Sequence, residues 1–481
     1  MLRALRSVVE EWRPHTNRQR RRLLQYTNIH QSDDGRTTPS SVPTPPPCRS
    51  GASSASPPPP SQSAPSPGAS SHPPWAVIDR TTRVDRSSSA PGACFRPVEP
   101  PAVSRVSAPA HLIDPSQRPS AGSSNVLHHL GGNVVQLLFG TVDAASGDGH
   151  LLLSYHDHRA EGPCTTWDLT GDPEIHRFVC NPLTGQMLRL PDIGGSRRTL
   201  VFHHMGLLTQ ADAGLGNGPP DRFAVAELIF DGAAFERFLS DEGEWRTVMG
   251  VPRGPLLRRQ MEVNQETVAF GGRLWWVDLT FGAMSVDPFG DWPETRFVEL
   301  PSGSVLPARA STNDGDFREL EDKVMFKEEV AKHRRIGVSE GRLRYAEVSP
   351  HDPFLLSSFA LDGDEGSGWT LEHQVALRQV LADGGYPWQE NSTQAAPQIA
   401  VLDPLNANAI YLKVGEHVVV VDMHNGKVTG ASPLEEEYLY LSLVPCVLPP
   451  WLGSSRIPTP GMQSRLPISL YASVLLELFC V

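Results

Sequence analysis

From residue 134 onward the chain is divided into apolar runs of strand length, and almost every interruption is a turn signal. The runs are VVQLLFG, HLLLSYH, HRFVC, TLVFHHMGLL, FAVAELIF, RLWWVDL, RLRYAEV, FLLSSFAL, IAVLD, AIYLKV and HVVVVDM, separated by Gly, Asp, Asn and Pro. Segments this short cannot build a helix bundle. They imply a mainly β fold, a propeller-like or barrel-like array of short antiparallel strands. The chain has 481 residues, of which 45 Pro and 41 Gly are unevenly spread. About 330 foldable residues remain, enough to bury about three quarters of the unfolded surface in a core without disulfides or metal.

Three phrases resemble one another more closely: GGRLWWVDLTFG (271–282), SEGRLRYAEV (339–348) and VGEHVVVVDMHNGKV (414–428). Each is a turn followed by a strand that ends on or near an acid. Two continue into a second turn, as stacked hairpins of propeller blades do. Gly272 and Gly341 lie 69 residues apart and Gly341 and Gly415 lie 74 apart, against roughly 40 to 50 residues per blade in propeller repeats. Insertions, or unmarked blades between the phrases, would account for the excess. Within these units Trp275, Trp276 and Val277 are expected to pack against neighbouring sheets. Asp278 and Asp422 are expected to accept hydrogen bonds in turns, with catalysis the sharper and rarer alternative.

One stretch breaks the β pattern. DFRELEDKVMFKEEVAKHRR (316–335) has no Gly or Pro, places Phe317, Leu320, Val324 and Ala331 near one face, and offers Glu319/Lys323 and Glu328/Lys332 as i,i+4 pairs. It reads as a minor surface helix between blades, a solvated connector by default and a partner-binding helix as the alternative.

The N-terminal part is of another kind. Between Ser41 and Pro74 there are 12 Pro and 10 Ser with one charged side chain, Arg49. Such a composition cannot bury a core, so a disordered arm with polyproline character is expected. Its PTPPP and SPPPP runs suit proline-reading grooves or serve as spacers. The Arg-rich opening resembles an organellar transit segment, and RQRRR a nuclear address; localisation stays open between these and a functionless extension in an intracellular protein. The expected divisions are an Arg- then Ser/Pro-rich arm (1–74), a loosely attached leader with one short strand, WAVID (75–124), a β-rich domain (125–458) and an atypical tail (459–481).

The formal charge is −12, and the first 22 residues carry about +5, so the remainder stands near −17. An acidic domain repels phosphates on average, which argues against nucleic acid and membrane surfaces as main partners. No stretch has the apolar length of a spanning helix, and the apolar tail from Leu466 is broken by Pro467 and Glu477. The six cysteines are sparse and without C-x-x-C, as in a reducing compartment. In that setting the Asn391-Ser392-Thr393 sequon is a chance match.

WWVDLTFGAMSVDPFGDWPETRFVELP (275–301), with DPSQRPS near 114, CNPLTGQMLRLPDI (180–193), HRRIGVSEGRLRYAEV (333–348), VDMHNGKVTG and VPCVLPPWL (444–452), resembles the plant family catalogued as domain of unknown function 1618. The resemblance covers about Trp75 to Pro458. It implies a fold similar to F-box-associated β-propellers and carries no activity, cofactor or catalytic residue. No F-box pattern precedes the domain, so a ubiquitin-ligase adaptor role does not transfer.

Chemistry-bearing motifs are few. His128-His129, His156-x-His158 and His203-His204 are the candidate metal ligands. Only His156 and His158, alternate residues of a strand, would share a face, and no third ligand is indicated, so no metal is assigned. DGDEGSGWTLEH (362–373) begins like a calcium loop but has His373 at position 12, with Glu372 one residue short. GLGNG (214–218) runs into Pro219 and Pro220 rather than a helix, and reads as a loop. The catalytic residues are unknown, and no cofactor is assigned. The expected function is a protein-binding module whose partner is another protein. The alternative is a small-ligand-binding or hydrolytic enzyme working in the channel of the same fold, told apart by whether acids or histidines converge there.

Overall fold

A computed structural model describes residues 72–115, 127–129, 134–161, 174–195, 204–211, 218–229, 234–249, 259, 261–291, 293–308, 317–363, 368–386, 396–434 and 442–459. The Arg-rich opening, the proline runs and the tail beyond Thr459 lie outside them.

The valine-rich inner strands have both faces covered, which suits β-branched side chains. The first strands are β1 (Trp75–Asp79), β2 (Thr81–Asp85), β3 (Cys94–Arg96) and β4 (Val103–Pro109), the last followed by α1 (Ala110–Ile113). Next come β5 (Leu127–His129), β6 (Val134–Ala145), β7 (Leu151–Glu161), β8 (Glu174–Cys180) and β9 (Met187–Arg189). Four separate four-stranded antiparallel sheets follow in chain order. They are β10 (Met205–Gln210), β11 (Arg222–Ile229), β12 (Ala234–Leu239), β13 (Trp245–Met249); β14 (Val268–Phe270), β15 (Arg273–Asp278), β16 (Gly282–Val286), β17 (Arg296–Glu299); β18 (Arg334–Ser339), β19 (Arg342–Val348), β20 (Leu355–Leu361), β21 (Trp369–Ala376); and β22 (Gln398–Leu402), β23 (Ala409–Val414), β24 (His417–Asp422), β25 (Lys427–Pro433). Helix α2 (Phe317–His333) lies between β17 and β18, helix α3 (Leu377–Asp383) between β21 and β22, and β26 (Leu443–Val447) ends the series.

These sheets close into a ring. The first strand of each unit packs beside that of the next: β6 on β10, β10 on β14, β14 on β18, β18 on β22, β22 on β26, and β26 back on β6. Each neighbouring pair of units encloses its own apolar cluster. The architecture is therefore a propeller of six blades: β6–β9, β10–β13, β14–β17, β18–β21, β22–β25, and a closing blade built from β26, β1, β4 and β3. In the closing blade β1 runs antiparallel to β26, with Trp75 opposite Val447, and parallel to β4. Strand β2 then pairs with both β4 and β6, fusing the closing and first blades into one ten-stranded sheet.

A blade wedged between two others buries both faces of its middle strands, which lose the apolar–polar alternation of a half-exposed sheet, while an outer strand such as β25 keeps it. In β24, Val418 and Val420 enter the cluster shared with the closing blade, while Val419 and Val421 enter the one shared with the fourth blade. In β15, Trp275 and Val277 face the fourth blade and Trp276 the second. The expectation that these three residues pack against neighbouring sheets holds.

Three sequence expectations are corrected. Residues 75–115 are no loose leader: every residue of β1 is buried, and the strand is the second in its blade. The third repeated phrase is not equivalent to the other two. Gly272 and Gly341 each sit between the first and second strands of their blades, whereas Gly415 sits between the second and third. The lengthened spacing comes from insertions, including α2 and α3. Both two-residue turns have left-handed backbone, Gly271 and Gly272 at φ 59° and 69°, Glu340 and Gly341 at 49° and 68°, as the tightest hairpins require. Helix α2 ends at His333, before the expected limit at 335, and Lys332 pairs with Glu329 rather than Glu328. Glu319 and Lys323 have no described side chains.

Candidate functional site

The inner strands begin at one rim of the ring, the entry rim, and end at the other, the exit rim. At the entry rim Arg335, the second residue of β18, ion-pairs with Glu266, two residues before β14, and donates to the Leu443 carbonyl of β26 at 2.8 Å. Blades three and six stand opposite each other, so one guanidinium spans the ring. Both Arg335 and Glu266 are buried. Burial lowers the Arg335 pKa and the Glu266 charge opposes that shift. Beside the pair, Gln265 locks blades three and four: Nε2 donates to the Ile336 carbonyl at 2.6 Å and Oε1 accepts the Ile336 N–H at 2.8 Å.

Helix α2 lies on this rim. It packs on β18 and β22, Lys327 ion-pairs with Glu262 ahead of β14 at 2.9 Å, and a ring nitrogen of His333 lies 3.1 Å from the Pro397 carbonyl. Val330 and Ala331 rest on the cluster between blades three and four, and Met325 is 54% exposed.

Strands β6 and β7 exceed the other inner strands in length, and their far ends carry a second polar layer. His156 and His158 share one side of β7, as the alternation predicts, and both stack on Phe139, with centroids 4.9 and 5.9 Å away. His156 Nδ1 has no hydrogen-bond partner. Burial, with lesser repulsion from His158 and Arg177, pushes the His156 pKa down to about 3. No group of three metal-ligating side chains occurs among the described residues. On the other side of the same sheet Gln136 Nε2 donates to Asp157 at 2.8 Å and Arg86 donates to Gln136 at 3.2 Å. His128 and His129 lie in β5 without described side chains, and His203 is outside the described residues. His204 serves through its carbonyl, which accepts from Trp276 Nε1 at 2.7 Å.

The acids singled out in the sequence act as turn acceptors. Asp278 accepts the Thr280 N–H and hydroxyl and the Glu262 N–H. Asp422 accepts the N–H groups of His424 and Asn425 and the Asn425 amide, which hold its carboxyl below the usual range. In the calcium-like stretch, Asp362 accepts from Thr370 at 2.8 Å and closes the β20–β21 hairpin; 364–367 lie outside the described residues. GLGNG falls between β10 and β11, with only its last glycine described.

At the exit rim the Gly271-Gly272 turn, Thr209 and Gln210 of β10, Arg273, Asp287, Phe289 and Arg296 enclose a cleft of about 300 Å³ between blades two and three. Sequence reasoning passed over this cleft and over the Arg335–Glu266 pair. Their members are scattered along the chain and no local motif marks them.

The C-terminal phrase closes against an early one. Asn181 Nδ2 donates to the Leu452 carbonyl at 2.9 Å and to Ser455, while its Oδ1 accepts the N–H groups of Leu183 and Thr184. Thus CNPLTG meets the end of VPCVLPPWL and the residues that follow it.

No helix among the described residues is long and apolar enough to cross a membrane. A search of curated proteins found no significant match. Among solved structures the chain is similar to the β-propeller domain of Myceliophteria thermophila Cps50 (Swd1), at 12% identity over 59% of this chain and 84% of that one, with a TM-score of 0.29. It is also similar to the Pseudomonas aeruginosa periplasmic gluconolactonase, at 11% identity over 78% and 99%, with a TM-score of 0.29. A chain of a nidogen/laminin complex matches at 10% identity over 65% and 85%, again at 0.29. Residues 276–411 match the model of the family described as Protein of unknown function (DUF1618), and over that segment the family resemblance read from the sequence holds.

Proposed function

We propose that the ring is a non-enzymatic module that binds another protein through its entry rim. The observation that carries this reading is the Arg335–Glu266 pair with the Leu443 carbonyl. Arg335 is satisfied by Glu266 of the neighbouring blade and by the Leu443 carbonyl of the closing blade, and a substrate entering there would have to break a buried ion pair. Helix α2 adds a raised edge to the same rim, with Met325 directed outward and Val305 exposed in the link that precedes it. An exposed apolar side chain on a helix bordered by charges suits a protein surface better than a small solute.

The test is proximity labelling in cells with the full chain, a Met325→Glu variant and a chain lacking 125–458. Partners enriched by the full chain and lost in both variants support the reading. Partners that survive Met325→Glu, or an absence of reproducible partners, overturn it.

A further inference from the structure

The exit-rim cleft between blades two and three has the features of a small-ligand site, and it stands independently of the entry-rim reading. Arg273 opens β15 and is held by neutral acceptors: Nε donates to Ser285 Oγ at 2.9 Å, and Nη2 donates to the carbonyls of Ser285, at 3.1 Å, and Glu294. No carboxylate pairs with it among the described residues, and Nη1 has no acceptor there. Arg296, a second guanidinium lining the same cleft, depresses the Arg273 pKa after burial itself, while Asp287 and Glu294 oppose. Arg296 has the Glu294 carboxylate 3.9 Å away, whereas no carboxylate is ligated to the inner guanidinium. An oxyanion would give the inner guanidinium a charged partner alongside its neutral ones.

The walls add specificity. Asp287 Oδ1 accepts the Phe289 N–H at 2.9 Å, which leaves Oδ2 as an acceptor toward the cleft. Phe289 is fixed from behind by the Arg222 guanidinium, 4.4 Å from its centroid, and Arg222 is itself held by Gln210 at 2.9 and 2.6 Å. The glycine pair in the β14–β15 turn has no side chains to fill the mouth, and the space beside both is open. The inner guanidinium is therefore pre-positioned by its scaffold, as bidentate recognition of an oxyanion requires.

We infer that this cleft binds a small oxyanion, a phosphate ester or carboxylate, that also carries a hydroxyl or amine for Asp287. Its volume lies at the small end of the range for ligand pockets, which limits the ligand to a few heavy atoms beyond the anionic group.

Isothermal titration of the full chain at fixed ionic strength with inorganic phosphate, glycerol 3-phosphate and L-malate tests this. Saturable binding of at least one of the three is expected, with glycerol 3-phosphate against malate separating phosphate esters from carboxylates. Arg273→Gln should weaken it at least tenfold, and Arg296→Gln severalfold. Asp287→Asn, which keeps the acceptor for Phe289 and removes a negative charge, should tighten inorganic phosphate severalfold. Arg246→Gln, an exposed arginine on the outer strand of blade two, should change nothing. No saturable binding by the wild type overturns the inference, as does an equal loss in Arg246→Gln. Should Arg273→Gln fail to fold, the opposite signs expected for Arg296→Gln and Asp287→Asn decide the matter, since a merely structural role predicts no tightening in Asp287→Asn.

Discussion

Blade five and the closing blade occupy adjacent places in the ring but are put together differently. Blade five is one continuous meander, β22 to β25, in which every strand pairs with the next in sequence. The closing blade joins β26 to β1, whose pairing partners are more than 360 residues apart, and uses a parallel β1–β4 contact that no hairpin could supply. The difference teaches that the ring is not six copies of one local solution. Five blades fold on short-range pairing, while the sixth pays the loop-closure entropy for all of them.

The largest expected effect tests whether the closing blade belongs to the same cooperative unit. Ile78 in β1 is fully buried against blade one. Ile78→Asp places an unpaired charge there and is expected to cost more than about 4 kcal/mol, enough to abolish the cooperative thermal transition seen by circular dichroism. An unchanged midpoint would break the comparison, because blades one to five would then hold without the sixth.

Glu266→Gln comes next. Removing one member of a buried pair leaves Arg335 uncompensated, and a loss of about 3 to 5 kcal/mol in denaturant unfolding is expected. Replacing both, Arg335→Met with Glu266→Leu, should recover most of it. Recovery shows that the pair braces blades three and four and that its charge is dispensable. No recovery would mean that the Leu443 contact from Arg335, and so the tie between blade four and the closing blade, is the larger part.

The smallest effect at neutral pH concerns blade one, the closing blade's other neighbour. His156 is buried neutral, and its pKa falls from 6.5 to about 3 on folding. The unfolded chain therefore takes up a proton that the folded one refuses. The stability is fully present above pH 6.5 and is lost as pH falls toward 3, by up to about 1.4 kcal/mol per pH unit. His156→Phe should leave the unfolding free energy at pH 7.5 within about 1.5 kcal/mol and flatten its decline between pH 6.5 and 4.5. An unchanged slope would assign the acid sensitivity elsewhere.

What was legible in the sequence follows the same division. Wherever pairing is local, the apolar runs and turns mark the strands closely: AIYLKV is β23 and RLRYAEV is β19, residue for residue. WAVID was equally visible as a strand, yet its neighbours Pro, Ser and Ala made it look like part of the arm. Its burial depends on Val444 and Cys446, which no local pattern can announce. Arg335 shows the same limit on a smaller scale. A helical period carried the reading through the two arginines, but the helix stops at His333 because β18 needs its ladder partners, Glu347 and Ala346, opposite Arg334 and Arg335. The channel mouth and the exit-rim cleft are products of ring closure, so their residues share no sequence neighbourhood.

The position of β26 has a bearing on the order of events in the cell. As the innermost strand of the closing blade, it must leave the ribosome before β1 has its antiparallel partner. At roughly 5 to 20 residues per second, β1 waits on the order of 20 to 70 s with its apolar side chains unsheltered by that partner. During that interval β1 can be covered by β4 and by blade one, which is made soon after it, but its ladder edge toward β26 stays open to mispairing.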